Sequence, residues 1–426
     1  MSGGLPAARS ENHKMRLHKA PGWASLFLLA VLMAAPLDGH AQTSPKSLEE
    51  VLDIARARAP LILSAKARIE EARGRLAGAS VRFQQNPVLE TNGGPRFSNG
   101  ATTADLDVSL SQDFELGGRR KARIAGAEAG VDRESATAQD AARRLLRDVA
   151  GAFLRALSAQ ERLQLHTETE RIASEFLKIA DRRFQAGDIP VLEVNLSRTS
   201  AARARSELRI AAADFAFALG ELRVLLGMQP GETLAIRGPL KQEREYQVES
   251  LIAQASDRPD IRALLAELRE ADAEARLGQG FKRPDIGFAG TYQREEGANA
   301  YQGGFRITLP VFSRGQELIA TGTARASRIR GEIEALRRAI HHEIRSVSDA
   351  YRSRVEAAIE LEKGALPSLR ENEVLARRSY EEGEIGLAEL LLIRREILET
   401  RTAYVSTLLE MRLFGIELEF RAGVLK

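Results

Sequence analysis

Very few side chains in this 426-residue sequence are of the kinds that do chemistry. There is no cysteine, which excludes disulfides, thiolate metal ligands, thiol nucleophiles and lipid attachment through an N-terminal cysteine. Beyond the first forty-one residues only His166, His341 and His342 remain as imidazoles. On a helix, adjacent His341 and His342 point about 100° apart, a poor arrangement for chelating one ion. His342-Glu343 begins like a zincin motif, but position 346 is Ser where the second His would stand. No Walker loop is present, and Gly278-Gln279-Gly280 has no strand before it, so it is not a dinucleotide fingerprint. The residues therefore point away from an enzyme, a cofactor and a protein-bound metal. One cluster stands out electrostatically: Glu381, Glu382 and Glu384 lie within four positions. Several copies around a symmetry axis would form an acidic ring that attracts cations, whereas a single copy reads as a solvated helix end.

The elements that would hold such a ring follow from the patterning. Arg9, Lys14, Arg16 and Lys19 precede an apolar stretch from Trp23 to Ala35, and Gly39-His40-Ala41 supplies small residues for a signal peptidase. We expect residues 1–41 to be a cleaved signal peptide. Without them the chain loses four Lys/Arg and two Asp/Glu, and its formal charge falls from +3 to +1. Nucleic-acid binding then has no compositional support. No run of eighteen apolar residues occurs, which argues against an inner-membrane helical bundle.

A duplication organises the rest. Arg182-Arg183-Phe184-Gln185-Ala186-Gly187-Asp188-Ile189 matches Arg378-Ser379-Tyr380-Glu381-Glu382-Gly383-Glu384-Ile385, and the same register pairs Glu193 with Glu389, Arg198 with Arg394 and Gly227 with Gly423. Earlier in each half, Pro60 pairs with Pro259, Gly117 with Gly315, Arg147 with Arg345 and Phe153 with Tyr351. The expected division is 42–237 and 238–426. Each copy should contain a helix (61–83 and 261–281), two strands around a polar turn, a long helix (119–184 and 316–380), and a return helix after Gly187 or Gly383. Leu146, Val149, Phe153 and Leu157 give the first long helix an apolar stripe, continued by Ile172, Phe176, Ala180 and Phe184.

The strands, about 87–114 and 284–312, alternate in polarity. Leu106, Val108 and Leu110 alternate with Asp105, Asp107 and Ser109; Phe305, Ile307, Leu309 and Val311 alternate with Arg306, Thr308 and Pro310. Segments of about ten such residues suit a membrane barrel, although a soluble hairpin packed on helices has the same pattern. An open sheet edge cannot face lipid, and known bacterial barrels begin at about eight strands. Four strands per chain in a membrane therefore force an oligomer, and three copies would supply twelve.

The duplicated turns and the strand exit Ser111-Gln112-Asp113-Phe114-Glu115-Leu116-Gly117-Gly118-Arg119-Arg120 resemble the TolC-like outer-membrane efflux protein family, across nearly all of residues 45–425. That exit and the run from Glu384 to Leu391 are most similar to its CzcC-like heavy-metal efflux branch. The resemblance implies an α+β, mostly α fold: long coiled-coil hairpins forming a periplasmic tunnel, and four strands contributing to a trimeric, twelve-stranded transmembrane β-barrel in outer-membrane lipid. It implies a homotrimeric, passive exit duct docking with a periplasmic adaptor (membrane fusion) protein and an inner-membrane, proton-driven RND pump. Its tips would be Gly187, Ile189 and Val191, and Gly383, Ile385, Gly386 and Leu387, meeting the adaptor and closing the aperture. Pro190 stands where the second tip has Gly386, from which we expect the tips to open differently. Drug efflux or type I protein secretion would use the same fold, and a soluble periplasmic coiled-coil scaffold would use the helices alone.

Overall fold

The computed structural model describes residues 44–98 and 100–425; the expected signal peptide and its cleavage site lie outside them. Ser47 caps the first helix, Leu48–Arg58 (α1): its hydroxyl accepts from the Glu50 N–H, and the Glu50 carboxylate accepts from the Ser47 N–H at 2.7 Å. Pro60 then starts Pro60–Ser80 (α2), where its fixed φ suits a first helical turn and its missing N–H costs nothing. Two strands follow, Val88–Ser98 (β1) and Ala101–Phe114 (β2), then Arg119–Gln185 (α3) and Val191–Leu226 (α4). The order recurs as Val248–Ala255 (α5), Pro259–Gly280 (α6), Asp285–Glu295 (β3), Ala298–Thr308 (β4), Gln316–Glu360 (α7), Leu366–Glu381 (α8) and Leu387–Ala422 (α9).

With 67 residues, α3 rises to about 100 Å at ~1.5 Å per residue. A helix of that length is held by packing along its sides rather than by propensity. Here α3 packs on α2, α4, α6 and α9. The expected stripe Leu146, Val149, Phe153 and Leu157 is buried, in a cluster with Val51 and Leu52 of α1, Leu222 and Leu226 of α4, and Leu408 and Met411 of α9. A second cluster joins Ile261 of α6, Ile340 and Ile344 of α7 and Leu418 of α9.

Where α9 ends, its last carbonyls need partners from elsewhere. Arg143 of α3 donates to the Phe420 carbonyl at 2.6 Å and Arg258 donates to the Arg421 carbonyl at 2.9 Å. Asp140 at 2.5 Å from Arg143 and Asp260 at 2.6 Å from Arg258 balance the two buried guanidiniums. Burial pushes the Asp260 carboxyl up, but the Arg258 hydrogen bonds and the Arg258 and Arg143 charges together hold it below the usual range. This network fastens the end of the chain to both repeats.

Three sequence expectations need correction. The second long helix is not continuous: α7 and α8 are separated by a π-helical turn, Leu361–Ala365, in which the Leu366 N–H donates to the Leu361 carbonyl. Pro367 has no N–H to give to residue 363 and its ring crowds that carbonyl, so the chain widens by one residue just before it. The last strand stops at Thr308, leaving Leu309 and Val311 beyond it. The first strand, expected over Pro87–Gly93, runs on to Ser98, through Gly93-Gly94-Pro95.

Candidate functional site: the sheet and the two helix tips

The four strands form one antiparallel sheet in the order β1-β2-β3-β4, so the two hairpins join through β2 and β3. Its register sorts the side chains. Asn92, Asp107, Gln293 and Ala300 are directly opposite one another across the sheet, as are Thr91, Val108, Tyr292 and Tyr301. Because strand side chains alternate, Glu90, Asp105, Asp107, Asp113, Gln293, Gln302 and Arg306 share one face. Hydrogen bonds tie that face together: Arg96 to Asp105 at 2.6 Å, Gln293 to Asp107 at 2.9 Å, Gln302 to Gln293 at 3.0 Å and Arg306 to Asp113 at 2.9 Å.

The opposite face carries Leu89, Phe97, Leu106, Leu110, Phe288, Tyr301, Phe305 and Ile307, all exposed. Phe305 is 72% and Phe97 is 78% exposed, more than water tolerates for a contiguous apolar band. Both β1 and β4 leave an edge unpaired in the single chain. A sheet with one wet face, one apolar face and two open edges is a segment of a barrel wall.

At the far end of the hairpins each turn is built on a left-handed glycine, Gly187 at φ 82° and Gly383 at φ 79°. The Asp188 N–H donates to the Arg183 carbonyl at 2.9 Å, and the Glu384 N–H donates to the Ser379 carbonyl at 2.8 Å. These bonds close each long helix while the glycine reverses the chain, a conformation that would strain any residue with a Cβ. Pro190 and Gly386 then occupy equivalent N-cap positions with nearly the same backbone, φ −74° ψ 154° and φ −80° ψ 161°. The Pro/Gly difference therefore does not separate the tips in conformation.

What does separate them is packing. Tyr380 is 4% exposed, with its ring 5.6 Å from that of Phe176 on α3, and Arg394 lies 4.9 Å over the same Phe176 ring. Burial depresses the Arg394 pKa. In the first repeat the equivalent Phe184 is 44% exposed and Arg198 is solvent-facing. The second tip thus rests on the first repeat's long helix, whose Arg183 also lies 6.0 Å over the Tyr380 ring, while Phe184 of the first tip stays exposed. Phe176 is some two hundred residues from Tyr380, and its role was not readable from the stripe it belongs to.

The expected tip residues divide accordingly. Gly187, Val191, Gly383 and Gly386 are exposed. Ile189 and Leu387 are buried, against Ala180 and Val194 in one tip and against Phe176, Tyr380 and Leu390 in the other, and Ile385 packs beside them. The buried three hold the tips together rather than presenting a surface. Leu192, 64% exposed beside Val191, is an apolar tip residue that sequence reasoning omitted. In the acidic cluster, Glu381 pairs with Arg377 at 3.0 Å and Glu382 with Arg378 at 2.8 Å, each one helical turn away. Glu384 instead accepts from the Ser379 hydroxyl at 2.8 Å. The His341 and His342 rings are 6.4 Å apart, His166 Nδ1 lies 3.8 Å from Glu207, and among the described residues no group of three His, Cys, Asp or Glu could hold a metal ion. No helix among them is long and apolar enough to cross a membrane.

With this geometry in view, comparison with known proteins is informative. Residues 51–228 match the outer membrane efflux protein family. The chain is 26% identical over 377 residues to the cobalt-zinc-cadmium resistance protein CzcC of Cupriavidus metallidurans, covering 88% of this chain and 89% of that one. Its fold is similar to the CmeC outer membrane channel of Campylobacter jejuni, with a TM-score of 0.76 at 16% identity over 88% of this chain and 85% of that one. The open state of the MtrE outer membrane channel of Neisseria gonorrhoeae gives a TM-score of 0.72 at 20% identity, over 89% of each chain.

Proposed function

We propose that this chain, whose residues 51–228 match the outer membrane efflux protein family and whose fold is similar to the CmeC outer membrane channel, is the outer-membrane exit duct of a tripartite efflux system that exports heavy-metal cations. The sheet carries the reading. A four-stranded segment with a polar face, an apolar face and two unpaired edges is complete only when copies of the chain close it, and three copies give twelve strands. The long hairpins then continue the barrel as a helical tunnel into the periplasm. The duct is passive, and an inner-membrane RND pump selects the cargo and supplies the energy.

A periplasmic adaptor would seat on the exposed residues of the two tips, Gly187, Val191, Gly383 and Gly386, where glycines leave room for another helical hairpin. Of the three tip acids, Glu384 is the one with no arginine beside it, and any cation-attracting ring rests on it. Its replacement by Gln should lower single-channel cation selectivity; unchanged selectivity removes the ring.

Metal cargo is supported by the likeness to the cobalt-zinc-cadmium resistance protein. A deletion strain should become sensitive to one or more of Zn²⁺, Co²⁺, Cd²⁺, Cu⁺ and Ag⁺, and plasmid-borne wild type should restore growth. Sensitivity to drugs with unchanged metal tolerance would reassign the cargo while leaving the duct intact.

A further inference from the structure

The two repeats carry opposite charges at one level of the helical wall. In the register that pairs Pro60 with Pro259, Glu70 and Arg73 of the first repeat correspond to Arg269 and Asp272 of the second, and in the register that pairs Gly117 with Gly315, Asp132 corresponds to Arg330. All three signs are inverted. Within the chain the inversion has a visible consequence. Glu70 pairs with Arg73 on α2 at 2.7 Å, Asp132 of α3 pairs with Arg269 of α6 at 3.0 Å, and Asp272 of α6 pairs with Arg330 of α7 at 3.4 Å. Helices α2, α3, α6 and α7 follow one another side by side, and these six groups form a belt of alternating sign across them.

The belt ends in an acid at one edge, Glu70, and in a base at the other, Arg330. The seam between repeats, α3 against α6, is lined by the pair Asp132–Arg269 and by a close backbone approach: a Cβ on Gly126 would lie 3.5 Å from that of Ala273. The equivalents of Gly126 and Ala273 are Ala324 on α7 and Gly74 on α2, so glycine and alanine have also changed places. Nothing covers either residue. Gly74 faces open space, and Ala324 lines an exposed groove on α7 with Ala320, Thr323 and Ser327. Among the described residues, α2 and α7 of one chain do not touch.

We propose that this groove on α7 seats α2 of a second copy of the chain, with Ala324 against the partner subunit's Gly74 and Arg330 paired to the partner subunit's Glu70. The seam between copies then repeats the seam within a copy, with the small residues and the charges both exchanged. Each exchange preserves complementarity only if α2 follows α7, which fixes the neighbour and its register. Exposed pairs of this kind add little to affinity, and their effect is on which surfaces meet. The inference rests on the proposed assembly and names the helices that meet in it.

Because the chain has no cysteine, the test is clean. The full-length pair Gly74→Cys with Ala324→Cys, oxidised in isolated outer membranes, should give covalent dimers and trimers on a non-reducing gel, since the equivalent spacing within the chain, 3.5 Å between Gly126 and Ala273, suits a disulfide. The within-chain pair Gly126→Cys with Ala273→Cys should oxidise equally well and run as a single chain. In parallel, Arg330→Glu should lower the assembled fraction during partial heat dissociation by roughly tenfold, with three contacts turned repulsive, and Glu70→Arg added to it should restore assembly. If the wild type is a trimer, yet the Gly74→Cys with Ala324→Cys pair gives no inter-chain disulfide and Arg330→Glu leaves assembly unchanged, the seam alone is overturned. A wild-type chain that stays monomeric overturns the seam and the assembly together.

Discussion

Arg143 and Arg258 are the side chains whose loss the fold should feel most. Each caps a terminal carbonyl of α9 and pairs with a carboxylate, Asp140 or Asp260, so truncation takes a donor from the carbonyl and leaves the acid with one partner fewer. Arg143→Ala should destabilise the protein by about 3 kcal/mol, the lower end for a broken buried pair because Asp140 keeps Arg144 at 2.6 Å. The measurement is apparent melting temperature in detergent against wild type and against Arg147→Ala, whose partner Asp148 is exposed. The same network predicts an acid response. Asp260 titrates below its ordinary value of 3.8 in the folded state, so it contributes stability that is complete above that pH and lost as pH falls below it. A melting-temperature series from pH 6 to pH 3 should fall more steeply for wild type than for Asp260→Asn at the acid end; parallel curves would contradict it. The pairs Asp140–Arg143 and Arg258–Asp260 are local in sequence, but their role was not legible, because the α9 carbonyls they serve lie more than a hundred residues away and an arginine bound for the interior reads like a surface one. The tip glycines were legible, since a left-handed reversal after a long helix has few other solutions.

Among the elements, the π-helical turn before Pro367 distinguishes the second long hairpin from the first. The interruption weakens the local hydrogen-bond ladder, and α3 has no counterpart to it. Amide hydrogen exchange in residues 361–366 should be faster than in residues 163–168 of α3, and Pro367→Ala should slow it. Equal protection in the two segments would mean the turn is as well held as a regular helix. Pro367 was visible in the sequence, but whether a proline kinks, breaks or widens a helix depends on what surrounds it. The strands were legible where alternation was regular, as in Leu106, Val108 and Leu110. β1 was the hardest to read because Gly93-Gly94-Pro95 imitates a turn. The cap of α1 was readable but overlooked: Ser47 followed by Glu50 three residues later is a capping box.

For the whole molecule, duplication carried the most information. It located both tips and both hairpins before any coordinates, and it identifies which surfaces of one repeat are covered and which of the other remain open. What duplication could not convey is asymmetry. Phe184 and Tyr380 match in sequence, yet one is exposed and the other is seated on Phe176 of the first repeat's long helix. The central claim is that copies of this chain close a barrel in the outer membrane. The most direct measurement is the native mass of the mature protein after outer-membrane fractionation and detergent extraction. The account predicts recovery in the outer membrane, release only by detergent, and a particle of three chains. Recovery from the periplasm without detergent, as a single chain or a pair, would contradict it.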